Sequence, residues 1–111
     1  MDTAALFAQA EARANDFWGS LPDDLTIIEA MTMDDPGERN LALRKALGIK
    51  WPGKTVVKVS LHGHIEVVTP NKNRAEWHAH QLREALPRYT VNASKTSGGW
   101  FVHGYPSDLT A

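Results

Sequence analysis

The 111-residue chain has no cysteine, which excludes a disulfide framework and every zinc site built on thiolates. It has no apolar run near the ~18 residues that a membrane helix needs. No basic n-region opens it, since MDTAALFAQAEARA carries Asp2 and Glu11 where a secretory leader is uncharged or positive. These absences set the expectation of a cytoplasmic protein with no membrane contact. Phosphate-cradling glycine loops, a Gly-x-Ser-x-Gly elbow and a dinucleotide fingerprint are missing too. The paired carboxylates Asp23-Asp24 and Asp34-Asp35 fall at expected helix starts, where capping and the helix dipole account for them. The reading is therefore a non-catalytic protein that needs no cofactor.

Charge is plentiful but unevenly placed. Through Glu38 the chain has one base, Arg13, against nine acids, and from Arg39 onward it has eleven bases against four acids. A net −8 followed by a net +7 points to a polyanionic partner for the basic part. The competing reading is that the two parts attract each other within one fold.

Apolar periodicity divides residues 1–111 into an acidic helical part (1–50), a basic ββαββ part (54–106) and a loose tail (107–111). Leu6, Phe7, Ala10, Ala14, Phe17 and Trp18 form a helical stripe that Gly19 ends. Ser20 is expected to cap a second helix reaching about Thr32, although Leu25-Thr26-Ile27-Ile28 also suits a strand. Asp35-Pro36 starts the next helix and Gly48 closes it. Alternation over Thr55–Thr69 predicts a hairpin with Leu61 opposite Ile65 and Val59 opposite Val67, around a His62-Gly63-His64 loop. A helix from Arg74 to Leu86, capped by Asn73, is followed by a second hairpin from Tyr89 to His103. The expected fold class is α+β, with N-terminal helices, then a four-stranded antiparallel sheet with a helix packed on one face. A winged helix shares the order of three helices and a hairpin.

Four histidines, His62, His64, His78 and His80, form two His-x-His pairs. Two residues apart on a helix means about 200° apart, so His78 and His80 cannot hold one ion together. A metal-dependent hydrolase built on this cluster is the least favoured alternative, and no metal ligands are assigned. His78, beside the Ala75–Ala79–Leu82 stripe, reads as a hydrogen-bonded core residue.

The basic part interleaves cations with aromatic side chains, the combination that single-stranded nucleic acid needs. Trp77 stands off the apolar stripe of its helix, next to Arg74 and the Lys72 loop. The expected binding surface is Trp77, Arg74 and Lys72, with Lys58 and Arg88 contributing from the sheet. The expected role is binding a nucleic acid or a nucleic-acid-handling protein. The alternative is a protein inhibitor or adaptor, of the kind phage and mobile elements encode, that occludes a protein partner. The pattern fixes no oligomeric state.

Overall fold

Three helices, α1 (Thr3–Ser20), α2 (Ile27–Met31) and α3 (Pro36–Ala46), precede a four-stranded antiparallel sheet in the computed structural model, which describes residues 2–107. The strands are β1 (Val56–Val59), β2 (Ile65–Thr69), β3 (Tyr89–Thr96) and β4 (Gly99–Pro106), with α4 (Lys72–Ala85) between β2 and β3. The fold is α+β, as the sequence predicts. The order across the sheet is β1-β2-β4-β3, so β4 lies inside and β3 forms an edge. That four-stranded order sets the winged-helix alternative aside. Of the expected 107–111 tail, all but Ser107 lies outside the described residues.

Helix starts follow capping chemistry, and this corrects two boundaries. Ser20 does not cap a second helix; it is the last residue of α1, where its hydroxyl donates to the Phe17 carbonyl at 2.7 Å. Thr26 is the cap instead. Its Oγ1 accepts from the Glu29 amide and Glu29 Oε1 accepts from the Thr26 amide, both at 3.1 Å. Thr26-x-x-Glu29 is a complete capping box, whereas Ser20 has Asp23 at the matching position. With this later start Ile27 is buried and Ile28 exposed, whereas helical spacing from Leu21 and Leu25 puts Ile28 and Met31 on the apolar stripe. The strand alternative for this stretch falls with it. In α4 the cap is Asn71, which accepts from the Asn73 and Arg74 amides at 2.8 and 3.2 Å. The helix therefore begins two residues before the expected Arg74.

The first hairpin corrects the expected register. Val59 pairs with Ile65 and Val57 with Val67, a shift of two residues that keeps the valines and Ile65 on their expected face but takes Leu61 out of the strand. The connection is longer than His62-Gly63-His64. The Ser60 amide donates to the His64 carbonyl at 2.9 Å and the Gly63 amide donates to Ser60 at 3.0 Å. Gly63 takes φ of +83°, and a Cβ there would sit 2.7 Å from the Tyr89 hydroxyl. A tight turn in that backbone conformation favours glycine, which fixes the turn at Gly63 and leaves Leu61 outside, 76 % exposed.

One core fills the space between the helices and one sheet face. Val57, Val59, Ile65, Val67, Val91 and Val102 meet Ala75, Ala79 and Leu82 of α4 and Ala42 and Leu43 of α3. Burying each large aliphatic side chain contributes roughly 1.5–3 kcal/mol. The N-terminal helix is held differently. No residue of α1 is buried and Phe7 is 73 % exposed. Its C-terminal end is gripped by Lys45, whose Nζ donates to the Trp18 and Leu21 carbonyls at 3.0 and 2.8 Å. A cation there complements the helix dipole.

Candidate functional site

Helices cover only one side of the sheet. The other side is formed by the alternate residues of each strand: Val56 and Lys58 on β1, Glu66 and Val68 on β2, Asn92 and Ser94 on β3, and Phe101, His103 and Tyr105 on β4. Because β4 is an inner strand, its three rings run along the middle of the open face. The rings touch in series, with Phe101 and His103 centroids 5.7 Å apart and His103 and Tyr105 5.3 Å apart. His64, from the end of the first hairpin loop, closes on the row edge-to-face with His103 at 5.8 Å and tilted against Tyr105 at 6.1 Å. All three β4 rings are partly buried, none of them fully.

Across the strands this face has two kinds of row. Val56, Val68 and Phe101 are register partners and make an apolar band. Beside it, Lys58, Glu66, His103 and Asn92 make a polar one. Cations gather instead around Trp100, which alternates with Phe101 and packs against the core on the helix-covered side. Lys72 Nζ lies 5.6 Å over the Trp100 ring, and Lys95 is the register partner of Trp100. Lys54 stands next to Thr55, whose hydroxyl is 3.4 Å from that of Thr69 at the end of β2.

The five residues expected to bind are not brought together. Trp77 is 58 % exposed, and on α4 it lies opposite the buried Ala75, His78, Ala79 and Leu82, so it points away from the sheet. Asn73, Arg74 and Trp77 line a shallow depression on that outer side. Lys58 is on the open sheet face, in the opposite layer of the molecule, and Arg88 is exposed in the turn between α4 and β3. The fold thus has two separate aromatic surfaces. Tyr105 falls outside the expected hairpin, which stops at His103, so Phe101 and His103 did not read as the start of a longer aromatic row. The alternating Phe101-x-His103-x-Tyr105 pattern carries the information once β4 runs on to Pro106.

The histidines do not gather into a ligand set. His78 is buried and His80 exposed, 4.0 Å from Glu84. Among the described residues no three His, Asp or Glu side chains group in a way that could hold a metal ion. His78 lies in the core as expected, but its buried Nδ1 has no hydrogen-bond partner. Burial, with Arg74 nearby, pushes the His78 imidazole below its ordinary pKa.

The charge asymmetry is scarcely neutralised within the fold. Among the described residues one ion pair joins the acidic stretch to the basic part, Lys45 to Asp23 at 3.7 Å. Comparison with family models, curated proteins and solved structures finds no match to this chain. The chemistry of the surfaces carries the functional reading.

Proposed function

We propose that the protein is a non-catalytic binder of single-stranded nucleic acid, working through its open sheet face. The observation that supports this most is the row of Phe101, His103 and Tyr105 along an inner strand, uncovered by any helix. A four-stranded sheet with aromatic rings on its exposed central strands stacks bases without reading their pairing edges. Lys58 sits within the face and offers a cation to the phosphates of a strand lying along the row.

The test is fluorescence anisotropy of labelled single-stranded RNA and DNA, with wild type and a Phe101→Ala/Tyr105→Ala variant of unchanged melting temperature. Loss of affinity for the variant, with tighter binding of single strands than of duplex, is the expected result. Equal affinity of variant and wild type sinks the proposal.

A second reading rests on the outer face of α4. Trp77 beside Arg74 combines the two side-chain types most enriched at protein interface hot spots, and Trp77 is too exposed to be explained by packing. On this reading α4 docks a protein partner and the chain acts as an adaptor or inhibitor. Trp77→Ala abolishing capture of a protein partner while leaving oligonucleotide binding intact would favour it.

A further inference from the structure

The Lys50–Thr55 turn, the end of β2 and the start of α4 enclose a pocket of about 250 Å³. Arg44, Lys50, Lys54 and Arg74 all line it, and among the described residues no Asp or Glu does. Four cations with no carboxylate among them is a strongly one-signed environment.

One buried group in this pocket has no hydrogen-bond partner, and another carries a charge with no anion beside it. Arg44 is only 5 % exposed. Its Nε and Nη2 donate to the Lys50 carbonyl at 3.1 and 2.8 Å, and Nη1 donates to the Thr55 carbonyl. Those bonds, with the Trp51 ring 5.2 Å from the guanidinium carbon, fasten the turn that leads into β1, but none of these partners is an anion, and no carboxylate among the described residues pairs with Arg44. Buried charges are ordinarily paired. His78 is 1 % exposed, lines the same pocket, and has an Nδ1 with no hydrogen-bond partner. Holding the turn explains Arg44's position. It explains neither the bare imidazole nor the convergence of Lys50, Lys54 and Arg74.

We propose that this pocket is a binding site for a phosphate group, as free phosphate or as a phosphomonoester. A phosphomonoester carries close to two negative charges and three strong acceptor oxygens, enough to engage Arg44, the two lysines and Arg74 together. It also offers an acceptor to a His78 Nδ1–H, which finds none within the fold. The start of α4 adds the positive end of its dipole. Because Asn71 Oδ1 already takes the Asn73 and Arg74 amides, the side chains hold the anion and the helix contributes its field. The site stands apart from the open sheet face, so it does not depend on what that face binds.

The test is a titration of isotope-labelled protein with inorganic phosphate at constant ionic strength, followed by backbone amide and histidine-ring nitrogen resonances, with chloride as control. Saturable shifts at Thr55, Asn71, Arg74 and the His78 ring are expected. Lys54→Gln/Arg74→Gln, which changes two exposed side chains and leaves the Arg44 anchor in place, should weaken binding about ten-fold or more, since charge-assisted hydrogen bonds are lost. Competition assigns the source. Displacement of phosphate by a 5′-phosphorylated oligonucleotide but not by its 5′-hydroxyl counterpart makes the ligand a strand end. Displacement by a nucleoside monophosphate alone makes it a small molecule. Shifts that do not saturate, or an affinity unchanged in the double variant, overturn the site.

Discussion

The Asn40 side chain accepts a hydrogen bond from the Val59 backbone amide at 2.7 Å, so that α3 closes the outer edge of β1. One residue further on, Arg39 Nη1 donates to the Ser60 carbonyl at 3.2 Å. An edge strand with free amides invites pairing with another chain, and here a helix supplies the missing partners. Asn40→Ala leaves the Val59 amide without its acceptor at a partly buried site. The expected cost is ~1–3 kcal/mol of stability, measured by urea unfolding. Asn40→Asp keeps an acceptor and should lose less. Equal stability of Asn40→Ala and wild type would show that water replaces the bond.

Trp77 gives the clearest contrast between surface and core on one helix. It is more than half exposed, whereas Leu82 of the same helix is fully buried. Trp77→Ala should change stability by about 0.5 kcal/mol or less, as surface substitutions usually do. Leu82→Ala should cost ~2–5 kcal/mol. Thermal melts of the two variants check this before any partner is known. A large loss for Trp77→Ala would mean that the ring packs against the fold, and the α4 docking surface would go with it.

The same contrast shows where the sequence was informative. Face assignments were legible wherever the apolar period was long. Trp77 was expected off its stripe, and Val57, Val59, Ile65 and Val67 were expected on one side. Parity survives a slip of two residues, so it could not fix the register. The register depends on Gly63 and its approach to Tyr89, a contact between residues far apart in sequence. The open aromatic face was hidden for a similar reason. It requires β4 to lie between β2 and β3, and strand order is set by packing of the whole sheet. The phosphate pocket was less visible still, because Arg44 read as an ordinary cation near a helix end until the turn at Trp51-Pro52-Gly53 folded back over it.

His78 should make stability depend on pH in a defined direction. Burial, reinforced by the Arg74 charge, depresses its pKa in the folded protein. The unfolded chain therefore binds the proton more readily. Its contribution to stability is fully present above the ~6.5 of an unfolded histidine and is lost as pH falls below that value. In phosphate-free buffer, the melting temperature of wild type should drop more steeply than that of His78→Gln between about pH 7 and pH 5. Identical slopes would show that His78 is protonated in the fold as easily as out of it.

The charge and the rings of the open face can be separated by their response to salt. For single strands, log K falls with log salt at a slope of about 0.7 per phosphate neutralised. Lys58 stands within the face, register-paired with Glu66, and contributes charge but no stacking surface. Lys58→Gln should flatten the salt slope by about 0.7 and weaken binding at low salt. Phe101 contributes stacking but no charge, so Phe101→Ala should lower affinity by ~1–3 kcal/mol per lost base contact with the slope unaltered. Both variants leave the core face of the sheet untouched, since Lys58 and Phe101 alternate with the buried Val57, Val59 and Val102. A matched set of anisotropy titrations at several salt concentrations reads both effects. The opposite pattern, a salt slope that follows Arg74 and Trp77 and ignores Lys58 and Phe101, would move the strand from the sheet to the outer face of α4.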